Sequence, residues 1–157
     1  MATIHSNLSA YDKAEVPSGE GKKISIVVAE WNAEITENLF DGAFQTLIDC
    51  CVAVSDITRT NVPGSFELVY GARKAIKKDV DAVIVIGSVI QGQTKHFDFV
   101  CHGVTQGITA LNLEGKAPVI FCVLTDNTLQ QAQDRSGGKY GNKGVEAAVA
   151  ALKMAIL

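Results

Sequence analysis

Apolar and polar positions along the chain fall into two alternating periods. Ile24–Ala29 (ISIVVA) is a short β-branched run with no polar face, the pattern of a central strand covered on both sides. Ile35, Leu39, Ala43 and Leu47, with Phe40, Phe44 and Ile48 beside them, recur at helical spacing and predict a helix over about 34–50. Asp56–Val62 is more polar, with Thr58, Thr60 and Val62 on one face and Ile57, Arg59 and Asn61 on the other, which suits an edge strand. Pro63-Gly64 ends it, and Phe66–Lys77 reads as a second helix. Ala82–Ile86 (AVIVI) is the most buried-looking strand; Phe97, Val100, Val104, Ile108 and Leu111 mark a third helix; Pro118–Leu124 gives a fourth strand. Thr125 to Thr128 can cap a short helix running through Arg135, and a Gly-rich turn leads to an Ala-rich final helix over 144–156. Strands alternating with helices at this spacing predict right-handed βαβ units: an α/β fold with a four-stranded parallel sheet and helices on both faces.

Residues 1–21 show no such period and carry Pro17, Ser18, Gly19 and Gly21, so they read as an N-terminal arm ahead of one domain over 22–157. A chain of 157 residues, 47% hydrophobic and 20% charged, fits one domain around one core. The net charge of −3 offers no general field for nucleic acid or an anionic membrane, so any anion site must be local. Ala117–Leu124, the longest apolar stretch, is far short of the ~20 residues that span a bilayer, and residues 1–21 lack the apolar segment of a secretory signal. Cys50, Cys51, Cys101 and Cys122 have no CxxC spacing, and none forms a recognisable ligand pair with His5, His96 or His102. A reduced, cytoplasmic chain without a metal site is the expectation.

In open parallel sheets ligands bind beyond the carboxyl ends of the strands, which directs attention to four loops. After the first strand come Glu30, Trp31 and Asn32. The single tryptophan either stacks on a planar ligand or packs on the following helix. After the second come Ser65, Phe66 and Glu67, where the carboxylate also suits a helix start. After the third comes GSVIQGQTKH (87–96), close to the GxxxxGK[ST] phosphate loop but with Gln93 in place of its lysine. A triphosphate site without that cation is excluded; a turn for a single phosphate at a helix N-terminus survives. His96 falls in the first helical turn, where the positive end of the dipole disfavours imidazolium and suits the ring to giving and taking protons. Asp98 either orients that ring or stabilises the helix start. The fourth loop leads to RSGGKYGNKG (135–144), four glycines and three cations in ten residues, read either as an anion-binding turn or as a solvated loop.

Five segments, VVAEWNAEIT (27–36), NVPGSFEL (61–68), GSVIQGQTKHFDFV (87–100), PVIFCVLT (118–125) and RSGGKYGNKG (135–144), resemble in order and register the lumazine synthase family of riboflavin biosynthesis. The resemblance implies a flavodoxin-like sandwich that condenses 5-amino-6-(D-ribitylamino)uracil with 3,4-dihydroxy-2-butanone 4-phosphate, giving 6,7-dimethyl-8-ribityllumazine, phosphate and water, with no cofactor. By motif, it implies that Trp31 stacks on the pyrimidine, that Asn32, Ser65, Phe66 and Glu67 bind the ribityl chain and ring, and that Ser88, Val89 and Ile90 contact the pyrimidine. Gln93, Thr94 and Arg135 would hold the phosphate, and His96 would transfer protons. Phe121 and Lys143, with Arg135, fall at positions that a neighbouring subunit supplies.

The same resemblance implies a homopentamer with sites between subunits, an icosahedral 60-mer built from pentamers, an arm that pairs with a neighbour's edge strand, and riboflavin synthase as a partner. This chain departs from the family's commoner residues at Glu30, Trp31, Gln91, Gln93 and Cys122. Those departures keep a second reading open, a catalytically weakened shell-forming or riboflavin-type binding protein on the same scaffold. A flavodoxin-like or nucleotide-binding response domain is disfavoured, because both the phosphate-loop lysine and a GxGxxG fingerprint are missing. The apolar run Cys50–Val54 has no explanation at this level.

Overall fold

The computed structural model describes residues 7–157. His5 and the start of the arm lie outside them. Four parallel strands, β1 (Ile24–Ala29), β2 (Ile57–Val62), β3 (Ala82–Ile90) and β4 (Val119–Asp126), form one sheet in the order β2-β1-β3-β4. This is the expected α/β sandwich with a flavodoxin-like strand order. Helices α1 (Ala33–Asp49) and α5 (Lys143–Met154) cover one face; α2 (Leu68–Ile76) and α3 (His96–Leu113) cover the other.

The two faces explain why β1 and β3 are apolar but for Ser25 and Ser88. Ile24, Ile26 and Val28 of β1, with Ala82, Ile84 and Ile86 of β3, pack beneath Leu39, Leu47, Ala148 and Leu152. The alternate residues Val27, Ala29, Val83 and Val85 pack against Leu68, Ala72, Val104 and Ile108. Side chains of successive strand residues point to opposite faces, so a strand buried on both has no solvated face, and the one polar side chain of β1, Ser25, is small and buried. Strand β2 lies at the edge as expected. Its exposed Arg59 binds Glu37 through both guanidinium Nη atoms (2.8 and 2.5 Å) and lies 4.3 Å from the centre of the Phe40 ring. A charged pair of this kind keeps an open strand edge solvated.

Three boundaries differ from the sequence reading. Strand β3 continues through Gly87, Ser88 and Val89 to Ile90, in register with Val123 to Asp126 of β4. The apparent phosphate-loop glycine is therefore a strand residue: a Cβ at Gly87 would lie 2.6 Å from Ser65 Oγ, so close approach accounts for it. The second helix opens with a tight turn at Ser65–Glu67 before α2 begins at Leu68. The last loop folds as a small hairpin, β5 (Ser136–Gly138) against β6 (Gly141–Asn142), following a short α4 (Leu129–Arg135) capped by Thr128.

The end of α1 accounts for the apolar run after it. Cys51 N–H donates to the Ile48 carbonyl and Val52 N–H to the Leu47 carbonyl, at 2.9 and 3.0 Å, with Cys51 at φ 72°. These are the paired bonds of a Schellman cap, whose following residue is characteristically apolar and packs back on the helix. Val52 is buried in the same core cluster as Leu47. Residues 7–21 lie along this side of their own chain: Gly19 N–H donates to the Cys50 carbonyl (2.7 Å), Leu8 N–H to the Tyr140 carbonyl (2.7 Å), and Ser9 Oγ accepts from Asn142 N–H (2.9 Å).

Cys51 occupies a left-handed position that glycine takes without steric cost. We expect Cys51→Gly to stabilise the chain by about 1 kcal/mol, read as a higher urea midpoint with an unchanged slope. A lower midpoint would contradict the cap.

Candidate active site

The sheet order reverses between β1 and β3: β1 continues outward to β2, and β3 to β4. A crevice opens at the carboxyl ends of strands where the order reverses. The β1–β3 register ends at Val28↔Ile86, and β3 runs four residues further, to Ile90, so its end projects past that of β1. Beyond Ala29 the chain turns sharply at Asn32, which sits at φ 60°, ψ 48°, and its Nδ2 donates to the Ser88 carbonyl at 2.9 Å. That bond ties the start of α1 to the exposed end of β3. Trp31 is left on the outer lip, 72% exposed.

The other wall comes from the β2–α2 turn. Ser65 is buried, while Phe66 and Glu67 are exposed. Glu67 stands at the start of α2, as expected, but makes no side-chain capping bond, so its carboxylate faces the helix dipole without closing on it. The floor is Ser88, Val89 and Ile90 at the end of β3. Ser88 is 1% exposed and its Oγ has no hydrogen-bond partner. By the alternation of β3 that hydroxyl lies on the face of Ile84 and Ile86, toward α1 and α5, so it belongs to the core side of the strand and not to the cleft.

The far end is the first turn of α3. His96 is its first residue, exposed, with its backbone N–H directed at Thr94 Oγ1 at a long 3.4 Å. Asp98 pairs with Lys95 at 3.6 Å, an interaction of the helix start. These three walls enclose a cleft of about 720 Å³ in which Trp31, Asn32, Ser65, Phe66, Glu67, Ser88, Val89, Ile90, Thr94 and His96 all take part. It is apolar along most of its wall with a few convergent polar groups, the usual character of a small-molecule site.

Four residues singled out from the sequence do not line this cleft within the same chain. Gln93 is an exposed residue of the turn before α3. Phe121, on edge strand β4, packs partly against the core on the α2/α3 side. Arg135 donates to the Gln131 carbonyl (3.0 Å), lies 3.7 Å from Asp126 and stands over the Tyr140 ring. Lys143 pairs with Glu146 at 2.6 Å, near Cys122, whose thiol is pushed up to about 12 by burial. Conversely, Gly92, Phe97, Phe99 and Val100 line the cleft without having been singled out for it. Phe97 and Val100 fit the helix's apolar stripe and so looked like core. Phe99 lies off that stripe and is 72% exposed, a signal that was available in the pattern.

Among the described residues no group of three or more His, Cys, Asp or Glu gathers to hold a metal, and no helix is long and apolar enough to cross a membrane. Residues 21–157 match the family described as 6,7-dimethyl-8-ribityllumazine synthase. Proteins named 6,7-dimethyl-8-ribityllumazine synthase include one from Flavobacterium johnsoniae, 63% identical over 100% of this chain and 83% of its own length. Another, from Christiangramia forsetii, is 58% identical over 100% of this chain and 95% of its own. A third, from Porphyromonas gingivalis, is 56% identical over 99% and 97%.

The clasp at Asn32 makes an ordered prediction. Asn32→Gly loses only the side-chain bond to Ser88, about 1 kcal/mol. Asn32→Ala loses the same bond and keeps a Cβ in the left-handed region without the local polar bonding that lets asparagine sit there, costing roughly 1 kcal/mol more than the Gly variant. Urea midpoints should fall in the order wild type, Gly, Ala; a more stable Ala variant would refute the clasp.

Proposed function

This chain belongs to the 6,7-dimethyl-8-ribityllumazine synthase family, and from that premise we propose how its residues divide the work. The reaction is the transferase step of riboflavin biosynthesis that joins 5-amino-6-(D-ribitylamino)uracil to 3,4-dihydroxy-2-butanone 4-phosphate, releasing phosphate and water. The observation that carries the assignment of roles is that an exposed indole, the last residues of a central β-strand and a histidine at a helix start share one cleft.

Trp31 stacks on the pyrimidine ring, which its exposed face suits. Ser88, Val89 and Ile90 meet the ring's polar edge, while Asn32, Ser65, Phe66 and Glu67 take the ribityl chain and the rest of the ring. Thr94 and Gln93 at the α3 start, with Arg135, hold the phosphate; a helix N-terminus and a guanidinium are both suited to it.

The arylamine attacks the ketone, phosphate leaves by elimination, and the ring closes with loss of water. Every stage moves protons, and His96 is the cleft residue we assign to transfer them. Holding two reactive partners together supplies much of the remaining acceleration.

The site is completed by a second copy. Three features support this: Phe121, Arg135 and Lys143 lie outside the cleft of their own chain, the cleft mouth carries the exposed rings of Trp31, Phe66 and Phe99, and β2 ends the sheet with an unpaired edge. A homopentamer with clefts between neighbours fits these features, and its further assembly into an icosahedral 60-mer with riboflavin synthase as a partner extends the same reading. Residues 7–21 bond to their own chain, so the arm is not assigned to a neighbour's edge strand. The free thiols of Cys50, Cys51, Cys101 and Cys122 support a reducing, cytoplasmic setting.

Two variants test the roles. His96→Ala is expected to lower turnover roughly tenfold to a hundredfold while leaving ring binding, read by quenching of Trp31 fluorescence, largely intact. Unchanged turnover would refute proton transfer at His96. Arg135→Ala is expected to raise KM for the phosphorylated substrate and the inhibition constant of inorganic phosphate, with little change for the uracil; phosphate inhibition as strong as in the wild type would refute the assignment.

A further inference from the structure

Strand β4 ends in a charge that the roles above do not use. Asp126 is 7% exposed, and its Oδ2 is buried with no hydrogen-bond partner. Its backbone is fixed by the register with Ile90 and by the Gln91 N–H, which donates to its carbonyl at 2.9 Å. Arg135 is the ion-pair partner its carboxylate has, at 3.7 Å from Oδ1, beyond hydrogen-bond reach.

The guanidinium is held independently of that carboxylate. Nη1 donates to the Gln131 carbonyl at 3.0 Å, and the Tyr140 ring lies 5.3 Å from Cζ. Its side chain is 38% exposed against 9% for Asp126, so the pair has an inner anion and an outer cation. A buried carboxylate that forms no bond to its arginine acts on it as a charge alone. Burial makes that carboxylate expensive and pushes its pKa up, with Arg135 pulling it partway back.

We propose that Asp126 is a tuning residue for the phosphate site, a fixed negative charge behind Arg135 that weakens its grip on phosphate and so speeds release of the phosphate product. The inference rests on the assignment of Arg135 to phosphate. Arg135 gathers the phosphorylated substrate, while Asp126 offsets part of the guanidinium charge seen by the same anion. Because Arg135 is what seats the phosphate beside this carboxylate, the effect of Asp126 depends on Arg135 being present.

The test titrates inorganic phosphate into the assembled full-length protein by calorimetry, and as a competitive inhibitor of turnover. Asp126→Asn, which keeps shape and removes charge, is expected to tighten phosphate binding on the order of tenfold, with KM for the uracil unchanged and turnover lowered as product release slows. In an Arg135→Ala background, where the phosphate is no longer seated beside the carboxylate, the same substitution is expected to change little. A merely structural role would loosen the site and weaken phosphate instead. Asp126→Ser, which also removes the charge, gives the same reading if the Asn variant fails to assemble. Phosphate affinity unchanged or weakened by Asp126→Asn, with Arg135→Ala still weakening it, would overturn this proposal and leave the Arg135 assignment standing. Tightening that persists without Arg135 would overturn the route through the guanidinium, and wild-type phosphate affinity in Arg135→Ala would remove the premise.

Discussion

The bond from Asn32 Nδ2 to the Ser88 carbonyl is the constraint on which the site depends. Strands β1 and β3 are committed on both faces to the core, so their side chains cannot reach a ligand until each strand runs out. The sheet diverges at that point, and without a tie the start of α1 and the end of β3 would be joined only through packing further down. Asn32 bridges them from a left-handed backbone position that an asparagine tolerates better than most residues with a Cβ. Trp31 on one side and Ile90 on the other then have fixed places on either side of the crevice.

What the chain's pattern revealed, and what it concealed, follows from the range of the interactions involved. The limits of β1 were legible because a flush apolar run is bounded by Lys23 and Glu30. The end of β3 was not. Gly87 and Ser88 are turn-forming residues by local chemistry, and only the pairing with Val123–Asp126 and the pressure of Ser65 against Gly87 keep them extended. Cys51 carried no local signal either, since a cysteine in a left-handed cap is specified by Leu47, Ile48 and Val52 around it.

The cleft was legible as far as each loop lay beyond a strand end. Trp31, Ser65, Ser88 and His96 are all where the parallel-sheet rule puts them. The α3 residues Phe97 and Val100 were hidden because a residue that fits a helix's buried stripe gives no sign that the stripe extends past the core into a cavity. Asp126 was hidden for the opposite reason: its acid ends an apolar strand, and a charge at a strand end ordinarily means solvent. Here it means a buried ion pair.

The segment over residues 7–21 reaches further than its position in the chain suggests. Leu8 N–H holds the carbonyl of Tyr140, and the ring of that same tyrosine lies beneath the Arg135 guanidinium. The leading residues are therefore mechanically linked to an anion-binding arginine that lies more than a hundred positions downstream. A substitution that displaces Leu8 bears on the arginine as well, through the one tyrosine whose carbonyl the leader holds and whose ring the guanidinium faces.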